Sequence, residues 1–423
     1  MSSYFIESFK IEKLWGYRNI DLTFNNDVNV LIGPNGSGKT TILNLLHSIL
    51  SGDLRSILNI NFEQAKIGLR GFKGKPIRTI KVDVTDESLK FKVGQKPHSI
   101  PIDILSDPRP TRFSARYFYE REDVIRNMLS EEIDGELTPL VPLVWLPISR
   151  RLPVTEDEEE RYIRREGLES VDLRLKELLA GISRYHSILN TQLSERYGEF
   201  ERQVLSVILY NKNLDRLDLT PSSPTEVEKV QLLGAFEASG LLNSEIHSRI
   251  DDHFAAVERV VKRITENPNV YQEEDLLVLP LISRTKDMVE FARKLEQYRK
   301  DIFAPLHLYE DTVNSFLKGK TIKVDESDGL KIESSSKSVL NWRDLSSGEK
   351  QILILLTQAL LKFDEPVIYI ADEPELSLHV TWQEKLLESI VTLGGPKQII
   401  VATHSPDIVG QFRDNVIILG KES

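Results

Sequence analysis

A glycine-rich loop carries the strongest chemical signal in this sequence. Eight consecutive residues match the pattern G-x-x-x-x-G-K-[ST], namely Gly33, Pro34, Asn35, Gly36, Ser37, Gly38, Lys39 and Thr40. Such a loop turns successive backbone N–H groups toward phosphate oxygens, and the following helix adds its positive N-terminal end. We expect Lys39 to reach the β and γ phosphates of ATP and Thr40 to hold Mg²⁺, with Thr41 beside them. The alternative is a chance glycine turn, which would match in about one or two chains per hundred.

Two adjacent carboxylates follow an apolar strand predicted at 367–371. The carboxyl end of such a strand is where α/β sheets bind ligands, and paired acids there suit a metal. We expect Asp372 to hold Mg²⁺ through its water shell and Glu373 to polarise an attacking water as general base. A solvated acidic turn before Pro374 is the alternative, and it would be preferred if this segment stood alone.

A third motif, Leu-Ser-Ser-Gly-Glu-Lys-Gln at 345–351, places Ser346 and Gly348 just before a helix. Serine and glycine commonly begin helices, so an ordinary helix cap explains the segment taken alone. Together with the other motifs it indicates more, because its hydroxyl and backbone donors suit a γ phosphate.

His404 follows the strand predicted at 398–402 and lies 31 residues beyond Glu373. A lone histidine is more often structural. At the end of a second strand of the same sheet, contact with a γ phosphate is the preferred interpretation.

Composition narrows the classes of function. The chain has no cysteine, which excludes disulfides, thiolate metal sites and a cysteine nucleophile. Its 54 Lys and Arg against 65 Asp and Glu leave a formal net charge of −11, which opposes non-specific attraction to a polyanion. We found no apolar stretch of the roughly 18 residues that a membrane span needs, and no apolar signal core at the N-terminus. These features predict a cytoplasmic protein with no membrane partner.

The predicted elements fit an α/β nucleotide-binding fold whose two halves are separated by helices. Strands at 6–14, 20–24 and 28–32 lead into the glycine loop and a helix at 39–50, and an antiparallel β-subdomain follows over about 60–93. Apolar residues then recur at helical spacing over 171–209, 226–236, 244–265 and 286–303. These four predicted helices favour a hairpin or short coiled coil. We therefore predict domains at 1–153, 154–318 and 319–423, with a parallel sheet completed in the last of them.

The four motifs together resemble the SMC, RecF and OLD-like branch of the ABC ATPase superfamily. The resemblance covers about 1–153 and 319–423, and it implies an ABC-type ATPase head of mixed sheet with a β-subdomain. It also implies that Ser346 and Gly348 act in trans, on ATP bound to another copy, and that His404 is the switch histidine. Arg18 resembles a residue that touches nucleotide, although a surface arginine is nearly as plausible. Gln64 is a candidate for the family's metal-binding glutamine, with an exposed strand residue as the alternative.

Within that branch, the segments DEPELSLH and LPISRR resemble the ATPases of anti-phage systems, including OLD nucleases, Septu and the ATPase subunit of PARIS. The resemblance implies a head-to-tail dimer or higher homo-oligomer, a separate Toprim-like nuclease effector and a phage-encoded trigger protein. It implies no nuclease domain in this chain, because OLD nucleases continue into a Toprim domain whereas the last predicted strand here ends at Leu419.

Two other classes of function stay open. A DNA repair or recombination ATPase would clamp duplex DNA, and Lys73, Lys75, Arg78 and Lys81 would supply a basic patch, although a solvated hairpin face is the commoner explanation. The nucleotide-binding subunit of a transporter would share the motifs, but the helical insertion argues against it.

Overall fold

The computed structural model describes residues 4–71, 77–94, 96–101, 137, 142–146, 170–207, 209, 225–267, 272–325, 329–363, 367–394 and 398–420. The chain divides into two compact units, one of residues 1–182 and 308–423 and one of residues 183–307. The first unit contains both ends of the chain, and we call it the head unit. The second is the helical unit.

The described strands are β1 (Tyr4–Leu14), β2 (Arg18–Thr23), β3 (Val28–Ile32), β4 (Gln64–Gly71), β5 (Arg78–Val84), β6 (Ser88–Val93), β7 (Lys96–Pro101), β8 (Leu143–Leu146), β9 (Lys320–Asp325), β10 (Gly329–Ser334), β11 (Val339–Leu340), β12 (Ile368–Asp372), β13 (Gln398–Ala402) and β14 (Val416–Ile418). The described α-helices are α1 (Lys39–Leu50), α2 (Leu54–Leu58), α3 (Ser170–Ser206), α4 (Glu226–Ala238), α5 (Ser244–Glu266), α6 (Glu273–Asn314), α7 (Ser347–Leu360), α8 (Val380–Thr392) and α9 (Pro406–Val409).

A five-stranded parallel sheet positions the site. Its order is β14-β3-β13-β12-β8, and all four pairings are parallel. Every residue of β13 is buried, as expected for a strand covered on both faces. Because the strands run in one direction, the segments that leave β3, β12 and β13 emerge at the same edge of the sheet. The predicted α/β fold with a parallel sheet is confirmed.

A second, antiparallel sheet of the head unit has the order β2-β1-β4-β5-β6-β7. Strands β4 to β7 form the meander that alternating polar and apolar residues predict, so the β-subdomain is confirmed. Its apolar face shares one core with α1 and the parallel sheet, since Phe9, Ile42 and Ile370 belong to the same buried cluster.

Helix α7 lies in the interior of the head unit. Every residue from Gly348 to Leu360 is buried except Lys350. Lys350 itself pairs with Asp172, whose Oδ1 is 2.7 Å from its Nζ. The hydroxyl of Tyr309, which is fully buried, lies 2.7 Å from that of Thr357. The nearly all-apolar sequence of this segment predicts such burial, and the prediction is confirmed.

The helical unit contains α4 and α5 together with parts of α3 and α6. Its apolar residues form clusters of their own, one of which joins Phe200, Leu232, Phe254 and Val289 from the four helices. Helix α6 is longer than the predicted 286–303 and contains Pro280 and Pro305. Each proline removes a backbone hydrogen bond from the helix. Packing around Leu279 and Ile282 holds the first of these positions in helical form.

The predicted domain boundaries, 1–153, 154–318 and 319–423, stay predictions. Residues 147–169, which include the first boundary, lie outside the described residues. The division into compact units falls at 182/183 and 307/308, inside α3 and α6. Across the described residues, no helix is both long enough and apolar enough to cross a membrane.

His47 provides a pH-dependent contribution to stability. Burial in the head unit lowers its pKa from 6.5 to about 4, and Asp53 opposes this only partly. Its ring centroid is 4.7 Å from that of Trp145. Because the folded pKa is below the unfolded one, the unfolded chain binds the proton more tightly, and stability is lost as the pH falls below about 6.5. Between pH 7 and pH 4 we expect the wild type to lose ~3 kcal/mol more unfolding free energy than His47→Gln.

Urea unfolding of both proteins at pH 7, 5.5 and 4 measures this difference. The exposed His379→Gln variant controls for replacement of a histidine as such. A difference in unfolding free energy between the wild type and His47→Gln that is equal at all three pH values would contradict the prediction.

Candidate nucleotide-binding site

The glycine-rich loop connects β3 to α1, as its sequence context predicts. Gly38 is the N-cap of α1 and has a φ of 90°, a left-handed conformation that favours glycine. A Cβ at this position would lie 2.7 Å from the ring of Trp15. The Lys39 ammonium donates to the carbonyl of Gly33 at 2.9 Å. The loop therefore has the curled backbone, and the lysine lies over it.

Trp15 was not predicted to belong to the site. It occupies the turn between β1 and β2, where its backbone N–H donates to the Asn61 carbonyl at 2.7 Å. From the first residue of β2, the Arg18 Nη1 donates to the Ser37 carbonyl at 2.7 Å. Arg18 thus lies against the phosphate loop. No spacing in the sequence relates a tryptophan at 15 to a glycine at 38, so only the folded contact identifies Trp15.

Thr40 and Asp372 meet at the edge of the parallel sheet. Burial raises the pKa of the Asp372 carboxyl, and a hydrogen bond from the Thr40 side chain opposes that rise. The Oδ1 of Asp372 is buried and has no hydrogen-bond partner among the described residues. A hydroxyl beside a buried, unpaired carboxylate oxygen is the donor set that Mg²⁺ prefers. These two residues therefore fit a magnesium site.

Lys39 shares this environment. Burial lowers its pKa, whereas the negative charges of Glu373, Asp372 and Glu375 raise it. The lysine side chain is thus partly desolvated and close to the three carboxylates. Charge interactions are stronger in such a site than in water, which favours the binding of a polyanionic phosphate chain together with a metal ion.

Glu373 follows β12 and has an unusual backbone conformation. Its φ is 49°, and its N–H donates to the Ala402 carbonyl at 2.7 Å. Left-handed conformations of residues other than glycine are uncommon and cluster at functional sites. The Nε2 of His404 is 3.6 Å from the Glu373 Oε1. The fold thus brings together a carboxylate and an imidazole that are 31 residues apart in the sequence.

The third sequence motif, residues 345–351, begins α7, and we call it the signature segment. Ser346 is the N-cap, and Ser346 and Glu349 bond each other's backbone N–H groups in a capping box. The Lys320 Nζ contacts both Glu349 oxygens, at 2.9 and 2.8 Å. A Cβ on Gly348 would lie 2.7 Å from the Ser377 carbonyl, so glycine permits close approach of the turn after β12. Helix capping accounts for the contacts of Ser346 inside this chain.

Gln64 is the first residue of β4, and its amide nitrogen donates to the Asp83 Oδ1 at 2.7 Å. That contact attaches the side chain to the neighbouring strand β5. Its proposed role as a metal ligand stays a prediction.

Comparison with known proteins agrees with this arrangement. The family described as "AAA domain" matches residues 8–303, and the family "AAA ATPase domain" matches residues 241–409. The retron Vc95 probable ATPase of Vibrio cholerae is 21% identical over 404 residues, covering 90% of this chain and 66% of the relative. The Septu protein PtuA of Bacillus thuringiensis is 39% identical over 61 residues, covering 14% of this chain and 15% of the relative.

This chain thus spans less than two thirds of either relative's length. The crystal structure of an Smc head domain from Pyrococcus furiosus aligns with a TM-score of 0.41 and 14% identity, covering 98% of this chain and 93% of that one. The family match covers more than half of the chain, and the motifs lie together at one edge of the parallel sheet. The chain therefore belongs to the AAA domain family, and its motifs resemble those of ABC-type ATPases of the SMC and RecF kind.

Proposed function

We propose that this ATPase is the sensor and scaffold subunit of a bacterial anti-phage defence system, which holds and controls a separate Toprim-like nuclease effector. Two copies pair head to tail around two ATP molecules, or assemble into a higher homo-oligomer. A phage-encoded trigger protein then releases the effector. These events take place in the cytoplasm.

Within the site we assign each group a step in hydrolysis. Lys39 binds the β and γ phosphates, and Thr41 and Arg18 complete the binding loop. Thr40 and Asp372 would hold Mg²⁺, which would neutralise charge on the phosphates. Glu373 accepts a proton from the attacking water, and His404 contacts the γ phosphate.

The placement of the signature segment carries the pairing part of the proposal. Ser346 contacts Glu349, and Gly348 packs against Ser377. Lys39, in contrast, lies close to the carboxylates of Asp372 and Glu373. A second copy that presents its Ser346 and Gly348 to the γ phosphate would complete the donor set. ATP then joins the two copies, and hydrolysis separates them.

The defence part of the proposal is supported by the similarity to the retron and Septu relatives. It is also supported by charge, because a net charge of −11 favours a protein partner over a polyanion. A scaffold of this kind requires ATP-dependent assembly, which the paired site supplies.

Mass photometry of the wild type tests the proposal, with and without ATP and Mg²⁺, expressed alone and with the product of the neighbouring gene. We expect an assembly that forms with ATP and retains the neighbour's product. The Ser346→Ala variant is a matched control, because its phosphate loop is intact and its pairing surface is altered. ATP-dependent assembly that never retains the neighbour's product, in size-exclusion as well as in pull-down, would contradict the scaffold role.

The competing hypothesis is that the paired ATPase binds DNA. Of the four residues of the predicted basic patch, Lys73 and Lys75 lie outside the described residues. Lys81 pairs with Asp83 at 2.8 Å, and the Arg78 guanidinium lies 5.8 Å from the Tyr4 ring centroid. These contacts engage two of the four charges that the clamp hypothesis requires. A dimer that binds duplex DNA with steep salt dependence would favour the repair function instead.

A further inference from the structure

Glu375 is a buried carboxylate that the four sequence motifs do not assign to any step. It is 8% exposed and lies in the turn after β12, two residues beyond Glu373. Its Oε1 accepts three hydrogen bonds from one short segment, namely from the Thr403 hydroxyl, the His404 N–H at 3.0 Å and the Ser405 N–H at 3.2 Å. A single oxygen thus binds the whole segment that carries His404.

The residues on either side of His404 are fixed as well. The Thr403 N–H donates to the Leu31 carbonyl at 3.1 Å, and the Ser405 hydroxyl donates to Gln383 at 2.7 Å. Glu375 supplies the remaining contact, the one made to the backbone of His404 itself. Because a side chain is oriented by its own backbone, this contact sets the direction in which the imidazole approaches Glu373.

Glu375 also belongs to a second segment of the site. The Leu378 N–H donates to the Glu375 carbonyl at 2.9 Å, which closes the turn that contains Ser377. The Ser377 carbonyl is the group that Gly348 approaches so closely. One residue therefore connects the histidine segment to the turn that packs against the signature helix.

We propose that Glu375 is a positioning residue for ATP hydrolysis, which holds the 403–405 segment so that the His404 imidazole stands against Glu373. The proposal rests on the ATPase activity and not on the identity of any partner protein. A carboxylate suits the role because hydrogen bonds to a charged acceptor are stronger and shorter than those to a neutral one. Loss of the side chain would leave the part-buried His404 N–H without its acceptor, and the Ser405 N–H would keep only its bond to the Thr403 hydroxyl, at 2.9 Å.

A double-mutant cycle on the wild-type chain tests this with Glu375→Ala, His404→Ala and the double variant. Misplacement of a catalytic group by about 1 Å costs up to about 100-fold in rate, so we expect kcat to fall about 10- to 100-fold in Glu375→Ala. The KM for ATP should change less than about threefold, because Lys39 and the phosphate loop are untouched. In the His404→Ala background, removal of Glu375 should cost little more.

Glu375→Gln keeps one acceptor oxygen and should restore part of the lost kcat. Asp275→Asn is the matched control, since Asp275 is a fully buried carboxylate of the helical unit that pairs with Arg263 at 3.1 Å. It should lower the melting temperature and leave kcat unchanged. If Glu375→Ala does not fold, Glu375→Gln and Thr403→Val, which removes one donor, replace it in the cycle.

Losses that multiply in the double variant, or a raised KM with unchanged kcat, would overturn the positioning role and leave the ATPase assignment intact. A wild type that does not hydrolyse ATP would overturn both. Neither result depends on whether the neighbouring gene product is retained. Failure of the scaffold proposal would appear only in that retention experiment and not in the ATPase kinetics.

Discussion

We expect Glu373→Gln to retain ATP but to hydrolyse it at least about 100-fold more slowly than the wild type, which is the effect of removing a general base. The carboxylate lies beside His404 and close to Lys39, at the edge where β12 and β13 end. A glutamine has nearly the same shape but cannot accept the proton of the attacking water. In the proposed pairing, ATP that cannot be hydrolysed keeps two copies joined, so we expect a persistent dimer or larger assembly in ATP and Mg²⁺.

Steady-state phosphate release and mass photometry of the same samples measure the two effects. Glu388→Gln, an exposed glutamate on α8, is the control and should behave as the wild type does. Wild-type hydrolysis in Glu373→Gln would refute the general-base role. Slow hydrolysis without a trapped assembly would support the general-base role of Glu373 and refute the ATP-dependent pairing of two copies.

We expect Lys39→Ala to lose measurable ATP binding, with an affinity at least about 100-fold below that of the wild type. The lysine is 4% exposed, and its ammonium already lies over the phosphate loop. Without it, the negative charges of Asp372 and Glu373 face the triphosphate without a neutralising group. Lys39→Ala should therefore lower the affinity for ATP, whereas Glu373→Gln should bind ATP and lower the rate of its hydrolysis.

Isothermal titration with ATP and Mg²⁺ measures the affinity, and the melting temperature without nucleotide separates a binding defect from misfolding. A cooperative melting transition of the variant without nucleotide would show that it is folded. Lys10→Ala, at an exposed lysine that pairs with Asp21, is the control and should bind ATP normally. Retained ATP binding in Lys39→Ala would contradict the assignment of the loop.

Local features of the structure are those that the sequence predicts best. The helix predicted at 39–50 has those bounds, because a glycine in the left-handed conformation begins it and apolar residues at helical spacing bury one face. The apolar runs before Asp372 and His404 are the strands β12 and β13. Helix α6 was predicted too short, since Pro280 and Pro305 interrupt the pattern while packing against neighbouring helices maintains the helix.

The sequence by itself determined the chemistry available to this protein, because the residues of each motif are adjacent and their order alone identifies a phosphate loop, an acid pair and a helix cap. Only the tertiary structure decided which groups meet. The strand order β14-β3-β13-β12-β8 brings Glu373 to His404, and Glu375 to the Thr403 hydroxyl 28 residues away. Trp15 and Gly38 likewise meet through a turn of the other sheet. Such contacts depend on the pairing of distant strands, and no short-range spacing in the chain encodes them.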